Sequence, residues 1–273
     1  MRILLATDGS SHSRRATRWL RDLAMPAGAT VTVLAVAVLD EPPRDAQTMT
    51  ELRAAIARKA RGVAERAAQT LGRRWRQVEV VIREGDPRVE IVRVADEMHV
   101  ELIVLGARGL GRVNRFLIGS TSLAAARYAT CPVAIVRGRP HKTKRVLVPI
   151  DGSSGSRAAL RFISVSELEH DSRVTLLHVL PRGLGEDERK QHAEAETLLR
   201  EAGATLADSR RSIDHLVAAG DPAREIVKIA RSRDVDLIIL GARGLRTLGR
   251  LLLGSVSEAV LHQASRPVII VRE

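Results

Sequence analysis

The sequence predicts an α/β protein built from two copies of one unit, each a five-stranded parallel sheet with helices on both faces. Three observations predict it. The segment 85–109, GDPRVEIVRVADEMHVELIVLGARG, lies over 220–244, GDPAREIVKIARSRDVDLIILGARG, without a gap, with about half the positions identical across these and the following paired segments. Hydrophobic periodicity within each copy alternates between short β-branched runs and longer stretches with helical spacing. The copies meet at GRPHKTK (138–144), a polar stretch with Gly and Pro that reads as a linker and divides the chain into 1–140 and 141–273.

In chain order, the first copy opens with ILLAT (3–7), followed by a helical pattern over 12–25. TVTVLAVAV (30–38) is the second strand, and 47–71 the second helix. VEVVI (78–82), a helix over 87–98, ELIVLGA (101–107), a helix over 118–129 and PVAIV (132–136) complete it. Parallel neighbours need crossover connections, which the intervening helices supply, and near-continuous apolar strands fit burial on both faces. The second copy repeats the strands at 145–150, 172–179, 213–218, 235–241 and 267–272. Its connection after the second strand is eight residues shorter, so that segment is not expected to carry chemistry shared by the copies. The GDP triplets at 85–87 and 220–222 mark helix starts. Asp86 and Asp221 can cap the first turn, and proline loses no needed donor at its first position.

Length and composition bound the function. A chain of 273 residues holds two ordinary domains, and no apolar run approaches the ~18–20 residues of a membrane helix. MRILLATDGS does not read as a signal peptide, so a cytoplasmic protein is expected. The single Cys131, placed before Pro132 at an apolar run, excludes a cysteine-cluster metal site and reads as a packed thiol. A net charge of +12 raises the question of nucleic acid. The arginines are scattered among acidic residues, however, and aromatics make up only 2%, leaving little on which to stack bases.

The chemistry concentrates in LGARGLGRVNRFLIGS (105–120) and its repeat LGARGLRTLGRLLLGS (240–255). Both follow the fourth strand with the spacing Gly-x2-Gly-x9-Gly-Ser: Gly106, Gly109, Gly119 and Ser120 in one copy, Gly241, Gly244, Gly254 and Ser255 in the other. Glycine lets backbone amides approach an anion, and the helix that begins after the Gly-Ser pair offers amino-terminal amides and partial positive charge. Ser120, Ser122, Ser255 and Ser257 add hydroxyls, giving a phosphate cradle in two pieces. A lone Gly-x-x-Gly after a strand is usually only a turn; two gap-free copies argue for more. The pattern is neither a P-loop, since the Lys-Ser/Thr is missing, nor a dinucleotide fingerprint, which follows the first strand. Arg108 pairs with Arg243 and Arg115 with Arg250 across the copies. Arginine engages phosphate bidentately, but these side chains can equally extend into water or pair with a carboxylate.

The duplicated motif, with TDGS (7–10) and IDGS (150–153) after the first strand, resembles the ATP-binding subgroup of the universal stress proteins over essentially the whole chain. The resemblance implies two tandem Rossmann-like domains, similar to the adenine nucleotide alpha hydrolases, with strand order 3-2-1-4-5 and ATP at the carboxyl ends of the strands. It places Asp8 and Asp151 at the ribose or a phosphate-bound Mg2+, Val36 and Val179 at the adenine, and the glycines and serines above at the ribose and phosphates. Related single-domain proteins pair through the fifth strand, so the two copies are expected to form an intramolecular pseudo-dimer, with further homodimer formation left open. Where many members have LHV in the second strand, the first copy has LAV (34–36) and the second keeps LHV (177–179). His178 therefore reads as a packed or surface residue. Before the aspartate the copies differ as Ala6-Thr7 and Pro149-Ile150, which alters the edge of the pocket.

The expected function is an ATP-binding, nucleotide-dependent stress-response protein that signals to an unidentified regulatory partner. Efficient phosphoryl transfer needs metal ligands plus a base or water-positioning group. Asp8 and Asp151 are the only evident acidic candidates, so the alternative is at most slow ATP hydrolysis or phosphotransfer. TDGSSHS is also unlike the Ser-Gly-Gly-x-Asp-Ser loop of adenylating enzymes.

Overall fold

The structure is a computed structural model that describes the chain except residues 24–27, 40–45, 73, 110–117, 139–142, 166–171, 184–186, 207–210, 245–252 and 273. It divides into two compact units, with the main division between residues 140 and 141. In unit 1, β1 (Arg2–Ala6), β2 (Thr30–Ala37), β3 (Val78–Glu84), β4 (Leu102–Gly106) and β5 (Val133–Val136) alternate with α1 (Ser11–Asp22), α2 (Ala46–Gly72), α3 (Pro87–Glu97) and α4 (Ser120–Tyr128). The strands pair in parallel in the order β3-β2-β1-β4-β5. Unit 2 repeats this with β6 (Arg145–Pro149), β7 (Arg173–Leu180), β8 (Ser212–Ala219), β9 (Leu237–Gly241) and β10 (Val268–Val271). Its helices are α5 (Ser154–Val165), α6 (Glu188–Ala204), α7 (Pro222–Ser232) and α8 (Ser255–Gln263), and its strand order is β8-β7-β6-β9-β10.

The expected α/β architecture is therefore present in both halves. Leu4, Leu5, Val33, Leu34, Leu102 and Ile103 are fully buried in unit 1, as are Leu147, Val148, Leu176, Leu177, Leu237 and Ile238 in unit 2. Burial on both faces explains why these strands are apolar without alternation. The outer strands β3 and β8 differ: no residue of either is fully buried, in keeping with the polar residues in VEVVIRE and SIDHLVAA. The shorter connection in the second copy appears as a shorter helix, α6 having 17 residues against 27 in α2.

Local signals set the helix starts. Asp86 accepts a hydrogen bond from the Arg88 amide at 2.8 Å and Asp221 from the Arg224 amide at 2.9 Å, each ahead of a proline in the first turn, as expected of capping residues. The Arg88 guanidinium beside Asp86 also holds that carboxyl below the ordinary carboxylate range. The helix expected over 118–129 starts later, at Ser120, because Gly119 is extended at φ −70° and ψ 148° and serves as its cap. Cys131 is buried, as expected of a packed thiol. Among the described residues no helix is long and apolar enough to cross a membrane.

In each unit the strand order reverses between the first and fourth strands, so their following loops diverge to opposite faces and leave a crevice at the carboxyl ends. That crevice positions the site.

Candidate functional site

Two loops meet in the crevice of unit 1. After β1, Asp8 Oδ1 accepts a hydrogen bond from the Ser10 amide at 2.9 Å, and Gly9 between them takes the left-handed value φ 77° that this turn requires. Ser10 Oγ accepts from the Ser13 amide at 3.1 Å and so caps α1. The same hydroxyl reaches the Arg108 carbonyl at 3.3 Å, tying this loop to the one after β4. Unit 2 repeats the arrangement. Asp151 accepts from the Ser153 amide at 3.0 Å and from its hydroxyl at 2.5 Å, and Ser153 Oγ lies 3.4 Å from the Arg243 carbonyl.

The loop after β4 returns on itself. The Gly119 amide donates to the Ala107 carbonyl at 2.8 Å, and Gly254 to Ala242 at 2.7 Å, bringing each helix start against its Gly-x-x-Gly turn. A β-carbon on Gly119 would lie 3.3 Å from Arg108 Cα, so a side chain would be a tight fit where turn and helix meet. Gly109 faces Asp8: a β-carbon there would lie 2.7 Å from Oδ2, and one on Gly244 would lie 2.6 Å from Asp151 Oδ2.

A cavity of about 400 Å³ opens between these loops in unit 1. All eight residues singled out in the first copy line it: Asp8, Val36, Gly106, Arg108, Gly109, Gly119, Ser120 and Ser122. Strand β2, the Val38 that follows it and helix α3 contribute an apolar wall from Leu34, Val36, Val38, Pro87 and Ile91, while the loop after β4 and the start of α4 contribute Arg108, Gly109, Ser120 and Thr121. Asp8 stands on the loop after β1, between β2 and β4 in the sheet order. The lining suits a ligand with a flat apolar part and an anionic part, the latter facing free helix amides. In unit 2, Asp151, Gly241, Gly244, Gly254, Ser255 and Ser257 occupy the same places in the repeated loops, and Val179 lies near the end of β7.

Geometry revises several roles expected from sequence. Gly106 is a packing position, since a β-carbon there would come within 2.5 Å of the His12 carbonyl carbon in α1; one on Gly241 would come within 2.4 Å of the Gly155 carbonyl carbon. Ser122 and Ser257 were expected as hydroxyl donors to a ligand. They are buried and donate instead to the Gly106 and Gly241 carbonyls, each at 2.7 Å, which fastens the helix to the strand and uses the only proton of each hydroxyl. Arg115 and Arg250 lie outside the described residues. His178 packs as expected, its Nδ1 2.7 Å from the Ile150 carbonyl. Thr7, read from sequence as pocket edge, and Pro87, read as a helix start, also line the cavity, together with Ser13, Ile91 and Thr121, which were not singled out. Of these three, Thr121, two residues after Gly119, had a local signal.

Arg108, which lines the cavity, has other cations in its neighbourhood. Burial, with Arg108 adding to it, pushes the Arg137 guanidinium down to about 10, which still leaves it charged at neutral pH. Burial first, then Arg108, Arg15 and Arg137, push the His12 imidazole below its ordinary 6.5 against the opposing effect of Asp8. Folded His12 is thus largely neutral at pH 7, and the unfolded chain binds more protons in the acid range. Native stability should therefore fall as pH drops below 6.5 and level off below the folded value. Replacing His12 with Gln should flatten this part of the profile, measured as thermal stability against pH with tryptophan fluorescence, since both tryptophans lie in unit 1. An identical slope in the variant would rule His12 out as its source. Among the described residues there is no cluster of His, Cys, Asp and Glu able to hold a metal ion.

The comparisons with known proteins agree with this architecture. A model of the universal stress protein family matches residues 1–137 and again 142–272. The chain is 32% identical over 200 residues to a universal stress protein of Mycobacterium tuberculosis, a match covering 68% of this chain and 66% of that relative, just under two thirds of its length. Its similarity to a universal stress protein of Mycolicibacterium smegmatis, at 28% identity, covers 99% of this chain and 96% of the other. A solved universal stress protein from Archaeoglobus fulgidus shares the fold over 100% of this chain and 96% of its own, with a TM-score of 0.73 at 23% identity. With the family's model matched twice, once over each α/β unit, the chain belongs to the universal stress protein family.

Proposed function

We propose that each unit binds ATP and that the protein acts in the cytoplasm as a nucleotide-dependent regulator of a stress response. The observation that carries this reading is the unit 1 cavity, where an apolar wall and an amide-rich helix start flank a single loop bearing Asp8. The adenine ring lies against Val36 and Ile91, the ribose near Asp8, and the phosphates over Gly109, Ser120 and the first amides of α4. The residues fit a metal brought by the nucleotide rather than one held by the protein. Asp8 Oδ1 is engaged by the Ser10 amide, leaving Oδ2 as the carboxylate oxygen available to a phosphate-bound Mg2+. When bound, such an ion would offset phosphate charge; Asp8 would hold it and Arg108 would add a second positive group.

Titration of nucleotide-free protein with ATP and magnesium tests the reading, with two sites per chain expected. Replacing Arg108 with Ala should weaken ATP at unit 1 more than adenosine, which carries no anion. A hydrogen bond to a charged group contributes about 1.5–3 kcal/mol, so roughly a tenfold or greater loss is expected. Equal loss of both ligands would make Arg108 a shaping residue of the loop. No ATP binding would end the proposal, and steady phosphate release abolished by Asp8→Asn and Asp151→Asn would replace it with an ATPase.

A further inference from the structure

The two sites share one backbone frame but not one set of side chains. Gly119 and Gly254 cap α4 and α8 in the same extended conformation, with ψ 148° in both, and Ser122 and Ser257 fasten the two helices identically at 2.7 Å. Within that frame the second residue of the helix is Thr121 in unit 1 and Val256 in unit 2. Thr121 is half-buried and lines the cavity, and its hydroxyl makes no hydrogen bond to another described residue. Its proton therefore remains to be donated, unlike that of Ser122. A second difference points the same way: Thr7, also on the cavity wall, has the apolar counterpart Ile150. Thr7 Oγ1 accepts from the Gly9 amide at 3.4 Å, which likewise leaves its proton free. At both positions a hydroxyl donor in unit 1 stands where unit 2 has a branched apolar side chain.

We propose that the units are not equivalent: unit 1 selects for the phosphate tail of an adenine nucleotide through the Thr121 hydroxyl, whereas unit 2 binds adenine nucleotides and nucleosides with less regard to phosphate. This rests on the nucleotide reading above. An anionic oxygen at the helix start accepts from amides in both units, and each helix opens on a serine, but only unit 1 adds a threonine hydroxyl next to that serine. In unit 2 the corresponding Val256 supplies no donor, so the anionic tail gains less on entering. The protein would then carry one site that follows triphosphate and one that follows total adenine ligand.

The test uses the full chain, with Gly244→Val isolating unit 1 and Gly109→Val isolating unit 2, and ATP and adenosine titrated by calorimetry. The preference for ATP over adenosine should be about tenfold greater in unit 1, the scale of one hydrogen bond to a charged group. Thr121→Val should erase that excess without changing adenosine affinity, Thr121→Ser should keep it, and Val256→Thr should raise the preference in unit 2. Since valine already occupies this position in α8, the Thr121→Val protein is expected to fold. Equal preference in the two units, or equal weakening of both ligands by Thr121→Val, overturns the inference while leaving the nucleotide reading intact. Absence of ATP binding in the unmodified chain overturns both.

Discussion

Replacing Gly155 with alanine should cost unit 2 about 3 kcal/mol of folding stability, the upper end of what overpacking imposes. A β-carbon at this position would lie 2.1 Å from the Arg243 carbonyl oxygen and 3.2 Å from its carbon. Both are backbone atoms, so no side chain can swing aside. Helix α5 and the loop after β9 would have to part, straining the Ser153 contact with Arg243 at 3.4 Å. Gly241→Ala should behave alike, with its β-carbon 2.4 Å from the Gly155 carbonyl carbon. Gly72, where a β-carbon would meet no other part of the described chain within 4 Å, is the control, and alanine there should be nearly neutral. Urea unfolding followed by circular dichroism reads both units, whereas tryptophan fluorescence reads only unit 1, which holds Trp19 and Trp75. An early transition seen by dichroism alone is the expected result. Coincident, unshifted curves would mean that the close approach relaxes cheaply.

Replacing Gly109 with valine should lower ATP affinity at unit 1 by about a hundredfold, the binding equivalent of the upper range of overpacking, and leave unit 2 unchanged. The new side chain would begin 2.7 Å from Asp8 Oδ2. Asp8 has little room to yield, because its other oxygen is held by the Ser10 amide at 2.9 Å and Ser10 is tied in turn to the Arg108 carbonyl. Either the aspartate turn breaks or the glycine turn moves away, and each outcome separates groups that the proposed nucleotide site brings together. Gly244→Val, with its β-carbon 2.6 Å from Asp151 Oδ2, should do the same to unit 2 alone. Two sites of unaltered ATP affinity in the Gly109→Val protein would show that this turn is not part of the site.

Most of the fold was legible because the chain states it twice: two aligned patterns of apolar runs and helical stretches fix five strands and four helices per copy. Periodicity alone carries the fourth helix back to Ile118, whereas the Gly119-Ser120 pair marks its start, and the extended Gly119 ahead of Ser120 agrees with the second signal. The glycine spacing picked out residues that line one cavity but could not divide them by role. Gly106 and Gly109 look alike in sequence, yet one abuts the backbone of α1 and the other the carboxylate of Asp8. Ser120 and Ser122 likewise differ only once Gly106 offers its carbonyl to the second. Ile91 had no local signal at all. It reaches the wall beside Val36 because α3 packs near the carboxyl end of β2, a relation that periodicity does not encode.

The hydrogen bonds from Gly119 to Ala107 and from Ser122 to Gly106 have a thermodynamic consequence for ligand capture. They fix the dihedral angles at both ends of the cradle during folding, so the conformational entropy of ordering these groups is surrendered once, when the chain collapses, and not again at each encounter. A ligand received there would meet these positions already ordered.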